Sequence, residues 1–530
     1  MAQDIGKYNY ETSFPCCLTT ESVNFTRLMY LIITEKNHPD GHQRIINHLK
    51  IKKNRKKINH KNKEGWTALM IACINSNIWS SNETVKLLIE AGADINIKDD
   101  LNGCTALMYA SWNSNTDSNI ETVKLLLEAG ADINLRDNEG QTALMYASWN
   151  SNTDSNIETV KLLLEAGADI NLRDNEGQTA LMYASRYSNT DSNIETVRLL
   201  LEAGANPNIK DNYNWTSLMY ASRNSNNISS IETVKLLIEA GTNINAINNE
   251  GCTVLMYASR YSNTDSNIET VRLLLESGAD SNIQDKEKLT ALMHASKYSS
   301  TDSNIEIVKE LIKAGVNINL QDNKGWTALM YASRYSNKHS NTKTRLLLEA
   351  GADVNIKNIK GNTALMIASK YSNTDSNLET VKILLYYHSN PNIKNKKGST
   401  ALSCASKYLN GSSNIETLLL LLNHGADADY ITGNYLNIEQ VKSYGKIISM
   451  KNFYRMTMNY IFKNIKHNSN KLLYNPYSIR SRLIILKLTL ENNPIENCIT
   501  WDNLELFDYL GVYDLDSISD KVSDALKYLD

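Results

Sequence analysis

The chain has 530 residues with 55 basic and 58 acidic side chains, a net charge of −3. That near balance argues against a dedicated nucleic-acid binder, and no run of 18 apolar residues is present to span a membrane. Seven scattered cysteines (Cys16, Cys17, Cys73, Cys104, Cys252, Cys404 and Cys498) have no zinc-ligand spacing and no nearby His cluster, so a reducing compartment and no metal or cofactor are expected.

In chain order, residues 1–23 read as an N-terminal tail. The start Met-Ala-Gln-Asp-Ile-Gly lacks the basic-then-apolar pattern of a secretory signal, so an intracellular location, cytoplasm or nucleus, is expected. Residues 24–63 read as a degenerate capping repeat, with Thr26-Arg27-Leu28-Met29-Tyr30 in place of a motif that becomes regular further on. Lys52-Lys53-Asn54-Arg55-Lys56-Lys57 is a basic run that reads either as a solvated loop or as a nuclear localisation signal, the loop being the more economical account.

From residue 64 to 429 one unit recurs ten times. The tetrad Thr-Ala-Leu-Met, or a near copy, begins at Thr67, Thr105, Thr142, Thr179, Thr216, Thr253, Thr290, Thr327, Thr363 and Thr400, at steps of 38, 37 and 36 residues. Residues 105–148 and 142–185 are identical over 44 positions, a recent duplication. Self-similarity at such a period means stacked supersecondary units that share one elongated core.

One unit, Asp137 to Asn171, shows the grammar. Asp137-Asn138-Glu139-Gly140 is a turn. Thr142 caps a short helix with small Ala143, Ala147 and Ser148, which lets neighbours approach closely. Ser155-x-x-Glu158 reads as a capping box opening a second helix, buried through Val160, Leu162, Leu163 and Leu164. The same box recurs at Ser118, Ser192, Ser229, Ser266, Ser303, Ser376 and Ser413, each with Glu three residues on. Gly167 ends the second helix as a left-handed cap.

The run Asp-x-x-Gly-x-Thr-Ala-Leu-Met, followed by Glu-Thr-Val-Lys-Leu-Leu-Leu-Glu-Ala-Gly-Ala-Asp-Ile-Asn, resembles the ankyrin repeat over roughly residues 20–430. The resemblance implies a mostly α solenoid of helix–turn–helix units joined by β-hairpin loops, and a protein-binding scaffold. Two features depart from the family. Ala-Leu-Met replaces Pro-Leu-His, which removes a common His hydrogen bond. The period is 37, with the extra residues expected in a Ser-Asn-Thr-Asp-Ser-Asn inter-helix loop. The chain as a whole looks like the ankyrin proteins of large DNA viruses, which would place it in a host cell.

In such proteins contacts come from hairpin tips and the concave ends of first helices. At the latter stand Trp112, Trp149, Arg186, Arg223, Arg260, Lys297, Arg334, Lys370 and Lys407, next to Tyr187, Tyr261, Tyr298, Tyr335, Tyr371 and Tyr408. A ladder of cations beside tyrosines suits an acidic segment of a protein partner. The competing account is that these cations merely favour helix C-termini and recur by copying. Trp66, Trp215 and Trp326, just before their Thr, are candidate anchors or hairpin packing. Hairpin tips drift from Glu139, Glu176 and Glu250 to Lys324, Lys360, Lys396 and Lys397. The resemblance also implies that hairpin asparagines Asn134, Asn171, Asn245, Asn319 and Asn355 are hydroxylation candidates. Turn geometry, with each Asn bonding its own backbone, is the better account.

Residues 430–530 are non-repetitive and apolar, and read as a helical region that extends the cap or forms a small domain. Leu506, Phe507, Leu510, Asp514 and Leu515 are similar to the second half of an F-box, whose first half is missing. No nucleotide-binding, hydrolase or metalloprotease motif is present. The expected function is therefore a non-catalytic, monomeric interaction scaffold. The alternative is a substrate adaptor for a cullin-type ubiquitin ligase, docked through residues 506–515.

Overall fold

The computed structural model describes residues 25–427, except residue 77, the inter-helix stretches 114–119, 151–153, 189–192, 224–230, 261–265, 298–301, 337–340 and 409–412, and residue 414. Most Ser-Asn-Thr-Asp-Ser-Asn segments, Tyr261 and Tyr298, and the whole F-box-like stretch therefore lie outside the described residues. The chain divides into two compact units, one of residues 1–364 with 375–383, the other of 365–374 with 384–530. Regular structure among the described residues consists of α-helices and one 3-10 turn, with no extended strand.

In the first unit, pairs of short helices recur. Ala143–Trp149 with Asp154–Glu165, and Ala180–Tyr187 with Ile194–Glu202, are representative. The tetrad explains where the first helix starts. Thr142 is extended, and its hydroxyl accepts the Met145 N–H at 3.4 Å, supplying a partner that a helix N-terminus lacks. In the repeats of Thr67, Thr105 and Thr253 the Met sulfur closes the cap from the other side, accepting the Thr N–H at 3.4 Å. The methionine thus fills core and completes a cap at once.

Ala143 to Ser148 are all buried, since this helix is covered on every side by its neighbours. Small Ala and Ser side chains allow that approach. Among the described side chains of the second helix Thr159, Val160 and Leu163 are buried, whereas Leu162 and Leu164 are half-buried. The inward stripe is therefore narrower than the run of leucines suggests. Gly167 ends this helix at φ 88°, and the N–H of Ala168 bonds back to Leu163 O at 3.0 Å.

The Ser-x-x-Glu boxes at Ser155, Ser266, Ser303 and Ser376 do not form as expected, while Ser118, Ser192 and Ser229 lie outside the described residues. The helices that begin at Asp154, Ser266 and Asp302 already contain Ser155, Ser266 and Ser303, so none of these serines can be an N-cap. Elsewhere the cap falls one residue later. Asn193 accepts the Glu195 N–H at 2.9 Å, and Asn377 accepts the Thr380 N–H at 2.8 Å. The serine is drawn into contact between repeats instead: Ser376 meets Ser336 at 3.2 Å.

The N-terminal element is fastened by one carboxylate. After the helix Arg27–Ile33, Glu35 is 5% exposed and accepts hydrogen bonds from Ser80 and Thr84 hydroxyls and from the Ser81 N–H and hydroxyl, with His42 Nδ1 at 3.2 Å. The basic run forms an exposed short helix, Lys52–Arg55, whose Arg55 donates to Ala91 O, a carbonyl at the end of Asn82–Glu90.

In the second unit, Ala401–Lys407 and Ile415–Asn423 pair in the same manner, with Leu402, Leu418 and Leu421 fully buried. Thr417 donates to Ser372 at 2.7 Å, and Ser372 meets Ser413 at 3.2 Å.

Two predictions follow from these contacts. Lys288 and Asn214 hold positive φ, 61° and 59°, where other repeats use Gly. A left-handed lysine costs about 1–2 kcal/mol, while a glycine adds roughly 0.5–1 kcal/mol of unfolded-state entropy. Lys288→Gly should therefore raise the thermal midpoint slightly, and Asn214→Gly should not, because Asn tolerates this region. Glu35→Ala should strand the buried hydroxyls and cost about 3 kcal/mol locally. Hydrogen exchange should show residues 27–50 losing about a hundredfold in protection, with the helix Ala143–Trp149 unchanged, because each repeat meets only its neighbours.

Candidate functional site

Each loop is organised by the carboxylate or amide that opens its turn. Asp174 Oδ1 accepts the N–H groups of Glu176 at 2.9 Å and Gln178 at 2.7 Å, which closes the loop. Asp174 Oδ2 accepts the phenol of Tyr183 at 2.7 Å, reaching from the first helix that follows. Asp137 with Tyr146, Asp211 with Tyr220 and Asp322 with Tyr331 repeat this at 2.6 Å. Burial and then the hydrogen bond to Asp174 hold the Tyr183 phenol far above its ordinary range, so it remains a donor.

Neighbouring loops are then tied to one another. One backbone bond links each to the next: Asn138 N–H to Asn102 O, Asn175 N–H to Glu139 O, Asn212 N–H to Glu176 O, all at 2.9 Å. A second tie comes from the hairpin asparagines. Asn134 Oδ1 accepts the Asp169 N–H at 2.9 Å, Asn171 the Asn206 N–H at 2.9 Å, Asn245 the Asp280 N–H at 2.8 Å, and Asn319 the Asp353 N–H at 2.9 Å. These amides bond the next repeat's backbone and not their own, contrary to the expectation from turn chemistry. Long side chains supply a third tie, as where Arg136 donates from Nε to Gly140 O and from Nη2 to Arg173 O.

At the C-terminal ends of the first helices lies the expected row. Trp112 stacks on Tyr146 at 5.2 Å, and Trp149 on Tyr183 and Tyr187 at 5.7 and 5.6 Å. Arg186 lies over Tyr187 and Tyr220 at 5.1 and 5.6 Å, Arg223 over Trp215 at 5.4 Å, Lys297 over Tyr331 at 5.7 Å, and Arg334 over Tyr335 at 5.3 Å. Arg334 also pairs with Asp375 at 3.0 Å. Arg260 is half-buried, Arg223 is exposed and Tyr335 is 40% exposed. In the second unit Lys370 lies over Tyr371 and Tyr408 at 4.8 and 4.3 Å, with Lys407 and Tyr408 exposed. Trp66 does not join this row. It is 1% exposed and packs on Tyr109 of the next repeat at 4.6 Å, whereas Trp215 and Trp326 in the same column are half-buried.

The family model for ankyrin repeats (3 copies) matches overlapping stretches from residues 31–137 through 336–432. The chain belongs to the ankyrin-repeat proteins. Two ankyrin repeat proteins of Acanthamoeba polyphaga mimivirus are similar to it, one 55% identical over 98 residues, the other 54% over 101 residues. Each match takes in 18% of this chain, and the chain spans only 18% and 16% of those relatives. The crystal structure of an ankyrin repeat domain from Acinetobacter baumannii AYE aligns at a TM-score of 0.34 with 35% identity, over 40% of this chain and 98% of that one. An array of ankyrin repeats is the framework of a protein–protein interaction scaffold. Among the described residues no helix is long and apolar enough to cross a membrane.

Against the ankyrin pattern, the lost His hydrogen bond is replaced by the tyrosine one position later. Where that tyrosine is missing, at Ile71, Ile367 and Cys404, the turn residue is Asn62, Asn358 and Asn395 in place of Asp. A carboxylate has a second oxygen that needs a buried donor, and an amide does not carry that charge. At one repeat a histidine stands in the tyrosine position. His294 Nε2 lies 3.1 Å from Asp285 Oδ2, and Cys252 Sγ lies 3.9 Å from the same oxygen. These three buried side chains are the one group of potential metal ligands among the described residues. Local spacing could not reveal them, since they are 33 and 9 residues apart along the chain. The legible signal was the single His in a column of Tyr.

The turn chemistry makes a quantitative prediction. Tyr183→Phe should leave Asp174 Oδ2 without its phenol and cost about 1–3 kcal/mol. Asp174→Asn should cost less, since Asn248 Nδ2 donates to the Tyr257 hydroxyl at 2.8 Å and supplies a working natural example. A double-mutant cycle in thermal unfolding should return a coupling smaller than the Tyr183→Phe loss, because the amide introduced by Asp174→Asn still pairs with the phenol.

Proposed function

We propose that the row of cations at the C-terminal ends of the first helices is where this scaffold takes hold of an acidic segment of a partner protein. The observation that carries this reading is the seating of Arg186, Arg223, Lys297 and Arg334 against aromatic faces in successive parts of the array. A cation held over a ring keeps its charge and has fewer conformations to lose on binding, which favours association. Helices pack about 8–10 Å apart, so the charges of adjacent repeats recur at about that interval. An extended peptide rises about 3.3 Å per residue. The matching ligand is therefore an extended segment with an acidic residue at roughly every third position. The tip residues Glu139 and Glu176 at one end, and Lys324 and Lys360 at the other, are exposed and would orient a partner of uneven charge.

The test is affinity purification from a eukaryotic cell of the full-length chain and of an R186E/R223E/R334E variant, with a triple Lys variant as control. Exposed charge pairs contribute up to about 1 kcal/mol each, and reversal puts repulsion in place of that attraction. Three reversals should therefore weaken binding to the recovered partner by at least roughly tenfold, and the Lys variant should retain most of it. Unchanged binding in the Glu variant would refute the row as the docking surface.

A further inference from the structure

We propose that Cys252, Asp285 and His294 form a zinc site that clamps two neighbouring repeats together. Cys252 closes one repeat's loop, while Asp285 opens the next loop and His294 lies in the helix Ala291–Lys297 that follows it. The ligand atoms all lie within 4.8 Å of one another. A tetrahedral zinc ion with bonds of about 2.0–2.3 Å requires ligand-to-ligand distances of roughly 3.3–3.7 Å. The observed 3.1 Å from His294 to Asp285 and 3.9 Å from Cys252 to Asp285 sit on either side of that range. Closing the remaining edge needs a movement of at most about 1 Å.

The three ligands are held before any metal arrives. Asp285 Oδ1 is fixed by the N–H groups of Glu287 and Leu289 at 2.9 and 2.8 Å, which leaves Oδ2 directed at the other two groups. Asn248 Oδ1 accepts the Cys252 N–H at 2.9 Å. Such outer contacts orient first ligands and tune their affinity. The three residues are 4%, 9% and 3% exposed, so a net charge here would be expensive. A thiolate, a carboxylate and a neutral imidazole around a divalent cation sum to zero charge. The mixed sulfur, nitrogen and oxygen donors suit zinc, with one position left for water.

Without metal, burial and then the negative Asp285 push the Cys252 thiol up to about 12, so it is protonated. Binding forms a sulfur–zinc bond, breaks the S–H bond and releases that proton to solvent, while the Nε2 proton that faces Asp285 is given up so that the imidazole is neutral with its proton on Nδ1. His294 coordinates through Nε2 with its proton on Nδ1. The array contains its own control four repeats earlier. Cys104 lies 3.9 Å from Asp137 Oδ2 and 3.6 Å from the Tyr146 hydroxyl, the same arrangement with a phenol where the imidazole stands. His294→Tyr therefore recreates a pairing this fold already uses, and the variant should fold.

The experiment is a cobalt(II) titration of the metal-free, full-length protein under a non-coordinating phosphine reductant. One equivalent should produce a thiolate-to-cobalt charge-transfer band and tetrahedral d–d bands that zinc then bleaches. His294→Tyr and Cys252→Ser should each lose at least about a hundredfold in cobalt affinity, while both retain Cys104 as a check on nonspecific thiol binding. No charge-transfer band in the wild-type chain, or an undiminished band in folded His294→Tyr, would overturn the site.

Discussion

The side chain that opens each loop, a two-oxygen carboxylate in most repeats and an amide at Asn62, Asn248, Asn358 and Asn395, is the constraint from which the repeat is built. Through one oxygen it replaces the hydrogen bonds that a tight turn leaves unmade. Through the other it fixes a tyrosine of the following helix, as Asp174 does for Tyr183. A hydrogen bond to a charged group contributes about 1.5–3 kcal/mol, and the partial burial of Asp174 makes an unsatisfied oxygen costly. The turn residue and the helix residue are therefore coupled, although Asn248 with Tyr257 shows that an amide can also serve the phenol. That is why loss of the tyrosine at Ile71 and Cys404 is accompanied by Asn62 and Asn395.

From this local unit the array follows by nearest-neighbour contact. The first helices bury nearly all of their surface, so none could persist without a covered face on each side. On the loop side, cohesion is polar and repetitive: a backbone bond, an asparagine amide and a long side chain recur between successive loops. Apolar burial sets the spacing of repeats, while these directional bonds set their register. Glu35 performs the closing role where regular repeats begin, accepting four hydrogen bonds from Ser80, Ser81 and Thr84.

Much of this was legible in the chain. The period, the Thr cap at Thr142 and the left-handed Gly167 are local signals whose meaning does not depend on neighbours. The misreadings arise where a side chain looks toward the next repeat. Ser376 has the spacing of a cap, yet a partner on Ser336 claims it, and the cap passes to Asn377. Trp66 stands at a rim position in sequence, but Tyr109 of the next unit covers it. Asn134 looks like a self-bonding turn residue and is bound instead by Asp169. Cys252, Asp285 and His294 have no motif because the sites are made at junctions between copies. In an array of this kind, the informative comparison is down a column of equivalent positions.

To a partner that would bind them, the cations of the row are not equivalent. Arg186 rests on the faces of Tyr187 and Tyr220, whereas Arg334 already has a carboxylate, Asp375, at 3.0 Å. An acidic segment of the kind proposed would gain a new ion pair at the first position. At the second it exchanges one carboxylate for another, and a half-exposed pair contributes only about 0–1 kcal/mol, so the gain there is smaller. Copies that look equivalent in sequence therefore differ in the energy they can offer. Binding would be strongest where rings, not carboxylates, hold the cation, and that gives a uniform-looking array a preferred register for its ligand.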